Sequence, residues 1–176
     1  MKLPVFRYHP HPISTKAIKR RSTRCACCDK DVEYAYVAPA YSTHDLSEKL
    51  CPWCIADGTA HEKFDVTFAD EYPLSEAGLS QSIVDEVTCR TAGFTSWQQE
   101  RWLSHCNDAC VFLGDATLET VRNLTADEMS PLIEEHGVDE SWFRELGTNY
   151  QPGGQHAIYH FQCLHCGINR FGMDYT

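Results

Sequence analysis

The sequence predicts an α+β protein, in which two cysteine-bearing β segments lie around a helical middle. Eight of the ten cysteines form four close pairs, three of which lie in the outer segments and one within the middle. Capping patterns favour helices in the middle, and alternating side chains favour strands on either side of it. With 176 residues, 43% of them hydrophobic, the chain can build the core of one domain or two small ones.

The first part of the chain predicts turns, a strand and a short helix. Prolines at Pro10 and Pro12 exclude a helix at the start. Residues 33–38 alternate aromatic and small side chains, which is typical of a strand. A short helix over 59–64 is predicted after the second cysteine pair.

The middle of the chain begins with two predicted helices. One covers 79–87, and the other covers 97–105, where Ser96 opens a capping-box pattern. The second helix would deliver Cys106 and Cys110. Because these cysteines are four residues apart, they would share one face of that helix.

Two further helices are predicted from their capping residues. Thr125 and Glu128 form a capping box, and Gly137 should end the helix that they open. Asp139 can cap another helix, which ends near Gly147. A loop follows, and then two antiparallel strands are predicted over 157–163 and 169–175, joined by a turn that contains the last cysteine pair.

The first two cysteine pairs predict a zinc site. Both have the C-x-x-C spacing that directs two thiolates toward one ion, and 22 residues lie between them, enough for a hairpin. The predicted ligands are Cys25, Cys28, Cys51 and Cys54.

A second zinc site is predicted from the remaining two pairs. It would join the helical middle to the C-terminal hairpin through Cys106, Cys110, Cys163 and Cys166. Coordination by His105 or His165 in place of one cysteine is the main alternative. Gly167 suits the positive φ that such a turn needs. We therefore expect two structural zinc ions in one domain over 1–176, with a first zinc-ribbon-like part at 1–67, a helical middle at 68–150 and a C-terminal β-hairpin at 151–176 that completes the second site.

Two cysteines remain outside the pairs. Cys27 lies inside the first turn and could exchange with either ligand beside it. Cys89 is alone in the middle, where a buried thiol that behaves as a small hydrophobe is a commoner role than a nucleophile.

Other functions are compatible with some of the same residues. Cys51-Pro52-Trp53-Cys54 is similar to a dithiol redox motif, but another cysteine pair precedes it at zinc spacing. Closed four-ligand sites leave no open position for metal catalysis, and the H-E-x-x-H signature is absent. A deep pocket that contains Trp53, Trp97 or His105 would favour an enzyme.

The net charge of −10 indicates which class of partner the protein would bind, a nucleic acid or another protein. Nucleic-acid binding requires a basic surface, and only one basic cluster occurs, formed by Lys16, Lys19, Arg20, Arg21 and Arg24. The acidic balance instead favours a basic protein partner through electrostatic steering. No apolar stretch approaches the length of a membrane helix, and no signal peptide is evident. We therefore expect a cytoplasmic protein without membrane contact. In that compartment thiols stay reduced, which favours metal ligands over disulfides.

Three blocks of the sequence resemble the CbrC family of bacterial proteins, which are also called colicin tolerance proteins. The first block combines Tyr8-His9-Pro10 and Pro12-Ile13 with Cys-Pro-Trp-Cys-Ile-Ala-Asp-Gly at 51–58. The second lies between Arg90 and Gly114, and the third runs from Phe161 to Gly167. This resemblance spans nearly the whole chain. It implies a link to bacterial tolerance of a DNA-cleaving colicin, and it carries no catalytic residues. Together with the charge, it favours a zinc-stabilised binding or interaction protein over an enzyme or a nucleic-acid-binding module.

Overall fold

The computed structural model describes residues 2–175 and confirms a mixed α+β architecture with small antiparallel sheets. The strands are β1 (Ile18–Arg24), β2 (Asp31–Tyr36), β3 (Ser104–His105), β4 (Asp108–Ala109), β5 (Val111–Asp115), β6 (His156–Gln162) and β7 (Asn169–Tyr175). The helices are α1 (Pro52–Ala56), α2 (Thr59–Phe64), α3 (Tyr72–Glu76), α4 (Gln81–Arg90), α5 (Leu118–Arg122), α6 (Ala126–His136) and α7 (Glu140–Asn149).

The first part of the chain is a hairpin followed by two short helices. Strand β2 confirms the predicted strand near 33–38, and it pairs antiparallel with β1, which carries most of the basic cluster. The backbone of Tyr36 also donates to the carbonyl of Leu50, which places the second cysteine pair beside the hairpin. Side chains of β1, β2, α1 and α2 share one apolar cluster that includes Cys25, Cys51 and Cys54.

The C-terminal part is a three-stranded antiparallel sheet in the order β5-β6-β7. The two C-terminal strands were predicted, whereas β5 was not. Successive side chains of β6 point to opposite faces, so Tyr159 and Phe161 enter an aromatic core while Ile158 enters a second core on the other face. The short helices α5 to α7 cover that second face, where Phe143 is fully buried.

The caps that the sequence predicted for α6 and α7 are confirmed. Thr125 and Glu128 form both halves of a capping box, and Gly137 ends α6 in the left-handed conformation at φ 64°. The side chain of Asp139 accepts a hydrogen bond from the backbone of Trp142 and begins α7. These local signals determine the helix boundaries without help from distant residues.

The predicted helix over 97–105 is wrong. No helix occurs there, and the chain ends this stretch in the two-residue strand β3. The backbone N–H groups of Trp97 and Gln98 instead donate to Asp174 Oδ2 at 2.7 and 2.9 Å. Ser96 Oγ is buried without a hydrogen-bond partner among the described residues, so the capping box with Gln99 does not form, and contact with the last strand overrides the local pattern.

The N-terminal segment is part of the core. The backbone N–H of Phe112 donates to the carbonyl of Tyr8 at 2.8 Å, and the side chains of Tyr8 and His9 are fully buried. The imidazole of His9 contacts the carbonyl of Ala92 through Nδ1 at 2.7 Å. These contacts fix residues 6–9 against β5 and the chain that follows α4.

Within residues 2–175, no helix has the length and apolar character needed to span a membrane.

Candidate metal centres

Cluster one is formed by Cys25, Cys28, Cys51 and Cys54, the four cysteines that the sequence grouped as the first site. Their sulfur atoms all lie within 4.8 Å of one another. The Sγ atoms of Cys25 and Cys54 are 3.9 Å apart. Tetrahedral zinc with Zn–S bonds of ~2.3 Å separates two sulfurs by about 3.8 Å. The geometry of cluster one therefore fits a closed four-thiolate metal site.

Local structure directs these four thiols toward one point. Cys25 and Cys28 lie in the turn after β1, which is closed by a hydrogen bond from Asp29 N to the Cys25 carbonyl at 2.8 Å. Cys51 directly precedes α1, and Cys54 lies within its first turn. The backbone N–H of Cys51 points at Cys25 Sγ at 3.4 Å. Such N–H groups stabilise a thiolate, because they place positive partial charge beside it.

Cluster two is formed by His105, Cys106, Cys163 and Cys166. One ligand atom from each lies within 4.8 Å of the others. His105 Nδ1 is 3.2 Å from Cys106 Sγ and 3.3 Å from Cys166 Sγ, and the two sulfurs are 3.8 Å apart. This set of three thiols and one imidazole is also a usual donor set for zinc.

Two tight turns build cluster two. Cys106 and Asn107, both with positive φ (52° and 55°), form the turn between β3 and β4. Cys163 and Cys166 lie in the turn between β6 and β7, where Gly167 has φ 73° and its N–H donates to the Cys163 carbonyl at 3.1 Å. The positive φ expected at Gly167 is therefore present. Cluster two joins the middle of the chain to its C-terminal hairpin.

Cys110 lies outside the ligand atoms of cluster two, although the sequence placed it in the second site. Its side chain is 1% exposed and belongs to the aromatic core with Phe112 and Phe161. Burial raises the pKa of the Cys110 thiol to about 12, so the protonated form is favoured. The four-residue spacing from Cys106 suggested one helix face, but the chain reverses in the β3–β4 turn, and the two side chains diverge.

His105 takes the position that Cys110 was expected to occupy, which is the substitution that the sequence left as an alternative. The other alternative, His165, is directed elsewhere, because its Nε2 lies 2.9 Å from Asp108 Oδ2. The signal that could have identified His105 is its place directly before a Cys106-Asn107 turn. The apolar neighbours Ala109 and Val111 likewise mark Cys110 as a core position.

Asp108, which lies between Cys106 and Cys110 in the sequence, is a buried carboxylate beside cluster two. Its Oδ1 accepts from the Tyr8 hydroxyl at 2.6 Å, and its Oδ2 accepts from Arg7 at 2.7 Å. Burial opposes the charge of Asp108, but the hydrogen bonds from Tyr8 and His165 and the charge of Arg7 hold its pKa below the usual value. Asp108 thus connects the N-terminal segment to both turns of cluster two.

The remaining two cysteines are separate from the ligand groups. Cys27 is half-buried, and its Sγ lies 3.6 Å from Thr59 Oγ1. Cys89 is buried, which raises the pKa of its thiol, as expected of a small apolar residue. All ten cysteines are free thiols, so no disulfide competes with metal binding.

The basic cluster is largely neutralised by ion pairs across the first hairpin and its flanks. Arg24 makes two hydrogen bonds of 2.7 Å to Asp29, Arg21 lies 2.5 Å from Glu48, and Arg20 lies 3.7 Å from Glu33. Such pairing lowers the positive potential that a phosphate backbone would require.

Cavities border both clusters. One of about 320 Å³ is lined by Trp53 together with Cys28, Cys51 and Cys54. Another of about 460 Å³ includes His105 on its wall. Trp53 and His105 therefore line cavities that are open to solvent, whereas sequence analysis associated a deep pocket with an enzyme.

Comparison with known proteins places the chain in a family. The profile described as Uncharacterised protein family (UPF0167) matches residues 3–175, so the chain belongs to that family. It is 46% identical to UPF0167 protein PA1536 of Pseudomonas aeruginosa over 99% of this chain and 98% of that protein. It is 39% identical to UPF0167 protein Mb2317 of Mycobacterium bovis over 99% of this chain and 95% of that protein. No solved structure matches the chain.

Proposed function

We propose that this member of the UPF0167 family is a binding protein, whose fold is held by two structural zinc ions and whose acidic surface recognises a basic protein. The observation that carries the proposal is the closure of both clusters. Each provides four protein donors, so a tetrahedral zinc ion in either would have no open position for substrate or water. Zinc there would stabilise the fold, and function would lie in the surface.

Charge favours a protein partner over nucleic acid. The net charge is −10, and binding zinc through seven thiolates and one imidazole would make the chain more negative. Three arginines of the basic cluster already have carboxylate partners. An acidic surface increases the rate of encounter with a basic partner and decreases it for a polyanion.

Resemblance to the CbrC family supports a more specific setting, tolerance of a DNA-cleaving colicin. A nuclease toxin must bind DNA and so carries a basic surface, which is complementary to this chain. The ten free cysteines and the metal-compatible clusters support a reducing compartment, which we take to be the cytoplasm. The enzyme alternative has the cavity at Trp53 in its favour, but the cysteines on that wall belong to a closed cluster.

The acidic residues around α6 differ in whether they also stabilise the fold, so the test should replace only those that form neither a helix cap nor an ion pair. Of the acidic residues around α6, Glu128 forms the capping box, Asp139 caps α7 and Glu135 pairs with Arg101. Four exposed carboxylates of α5 to α7 have no ion pair among the described residues: Glu119, Asp127, Glu134 and Glu145. These four are the appropriate residues to neutralise.

The test measures association of the zinc-loaded chain with the purified nuclease domain of a DNA-cleaving colicin. We expect binding whose on-rate falls as salt rises, and a slower on-rate in the variant Glu119→Gln, Asp127→Asn, Glu134→Gln, Glu145→Gln. The matched control exchanges Asp and Glu at the same four positions and keeps the charge, so its on-rate should equal that of the parent. Absence of nuclease binding together with tight binding of duplex DNA at physiological salt would reject the proposal.

A further inference from the structure

A cavity whose wall contains no cysteine lies between α3, α6, β7 and the extended chain over 98–103. Its volume is about 310 Å³, within the lower range of small-ligand sites. It contains five carboxylate side chains, from Asp70, Glu76, Glu100, Glu135 and Asp174. Arg101 is the one arginine or lysine on its wall, and it already pairs with Glu135. The cavity is therefore strongly electronegative.

Asp174 lines this cavity, and one of its two carboxylate oxygens has no hydrogen-bond partner among the described residues. The residue is 6% exposed, and its Oδ2 accepts hydrogen bonds from Trp97 N, Gln98 N and the Tyr159 hydroxyl. Its Oδ1 is buried and has no hydrogen-bond partner within residues 2–175. A buried anionic oxygen without a donor is costly, so it calls for a donor supplied from outside the chain.

Two further acceptors line the same cavity. Glu100 is 1% exposed, and within residues 2–175 its one partner besides its own backbone is the Tyr41 hydroxyl, which donates to Oε2. His136 Nε2 is also buried and without a partner among the described residues. Burial lowers the pKa of His136, which favours the neutral ring, and a neutral ring nitrogen can accept a hydrogen bond. These groups of the cavity wall are hydrogen-bond acceptors, so a complementary ligand would supply hydrogen-bond donors.

The spacing of these acceptors excludes a preformed metal site. Within residues 2–175, only the two cysteine clusters bring three or more donor atoms within 4.8 Å of one another. The cavity also has apolar walls, formed by Leu103, Met173 and the ring of Tyr159. A ligand that fits both features has a compact positive end with several N–H donors and an apolar stem.

We propose that this cavity binds a primary ammonium group at the end of an alkyl chain, with Asp174 Oδ1 and Glu100 as its anionic acceptors. An ammonium carries three N–H donors and no acceptor, which complements the unpartnered Asp174 Oδ1 and His136 Nε2 and the carboxylates beside them. The alkyl stem would contact Leu103 and Met173, as the stems of lysine side chains do on apolar surfaces. A free alkylamine and a lysine side chain share this chemistry, and the proposal goes beyond the recognition of a basic protein surface.

The experiment titrates the zinc-loaded full chain with four probes by calorimetry. The first two are 1,4-diaminobutane and a capped Gly-Lys-Gly peptide, and we expect saturable binding of one molecule per chain for at least one of them. Tetramethylammonium has the charge without N–H donors and should not bind. Tighter binding of the diamine identifies a free amine as the natural ligand, and tighter binding of the peptide identifies a lysine side chain. Preferential one-to-one binding of the fourth probe, Mn²⁺, would overturn the proposal in favour of a metal.

Two variants test the acceptors. In Asp174→Asn, the amide oxygen can still accept from Trp97 and Gln98, while the amide NH₂ replaces Oδ1 and opposes a cation. We expect a loss of at least about tenfold in affinity, which corresponds to ~1.4 kcal/mol. Glu100→Gln keeps the acceptor for Tyr41 and should also weaken binding. The control Glu62→Gln removes one exposed charge on α2, outside the cavity, and should bind amine as the parent does.

A measurement on the parent protein tests the proposal even if a variant unfolds. Amine binding to the parent protein should shift the NMR resonances of the His136 ring, which lines the cavity. No binding of either amine up to about 10 mM, or equal binding by Asp174→Asn and the parent, would overturn the proposal. The recognition of a basic protein is tested separately, because the four carboxylates neutralised for that test lie outside this cavity.

Discussion

The hydroxyl of Tyr8 donates a 2.6 Å hydrogen bond to Asp108, a residue 100 positions further along the chain. Both side chains are buried, and Asp108 also contacts His165 in the turn between the last cysteines. One buried carboxylate therefore holds three distant segments around cluster two. Tyr8 and His9 of the N-terminal segment are thus structural parts of the core.

Replacing Tyr8 with Phe should destabilise the protein. The variant keeps the ring but leaves Asp108 Oδ1 with one donor fewer in a buried environment, which typically costs about 1–3 kcal/mol. Chemical denaturation of the zinc-loaded protein would measure the change. Tyr72→Phe is a suitable control, because its hydroxyl contacts Glu76 on the surface and its loss should change stability little. Equal stability of the parent and Tyr8→Phe would contradict the importance of this contact.

Elemental analysis should find two zinc ions per chain. Cys51→Ser removes one donor of cluster one, so we expect one zinc ion to be lost and the first part of the chain to unfold. Cys89→Ala leaves both clusters intact and should keep two ions. If Cys51→Ser stays folded with its full zinc content and loses a dithiol–disulfide activity, the redox interpretation of the Cys-Pro-Trp-Cys motif is correct instead.

The identity of the fourth ligand of cluster two can be tested directly. His105→Ala should reduce the zinc content by about one ion or weaken its retention against a chelator, because three thiolates remain. Cys110→Ala should keep both ions and lose only some packing in the aromatic core, typically about 1 kcal/mol. Loss of zinc from Cys110→Ala with full retention in His105→Ala would show that the four-cysteine set predicted from the sequence is the true one.

Stability should fall in mild acid through His9. Burial lowers the pKa of His9 from 6.5 to about 4, with the carbonyl of Ala92 acting in the opposite direction. His9 is therefore protonated below pH 6.5 in the unfolded chain but only below about pH 4 in the folded chain. The free energy of unfolding consequently falls as the pH decreases from 6.5 to about 4. The full effect is about 3 kcal/mol.

The difference between the parent and His9→Gln isolates this effect from the titration of other groups. At pH 7 the variant should be less stable, because the buried contacts to Ala92 and Thr15 are disturbed. As the pH falls toward 4.5, the parent should lose this advantage. A difference in unfolding free energy that stays constant with pH would show that His9 does not titrate in this way.

Local sequence was sufficient to predict the caps of α6 and α7 and the grouping of the four cysteines of cluster one. Caps such as Thr125 and Asp139 satisfy their own helix ends, and C-x-x-C pairs direct their sulfurs through one turn, so neighbours along the chain carry the information. The acidic net charge needed only composition.

Tertiary structure decided the features that depend on residues far apart in the chain. Asp174 takes the backbone donors of Trp97 and Gln98, and the helix that the local pattern predicted does not form. Without that helix, Cys106 lies within a tight turn, Cys110 lies in the aromatic core beyond it, and His105 completes cluster two. A four-residue spacing has one meaning on a helix and another across a hairpin, and only the partner that satisfies the backbone hydrogen bonds selects between them.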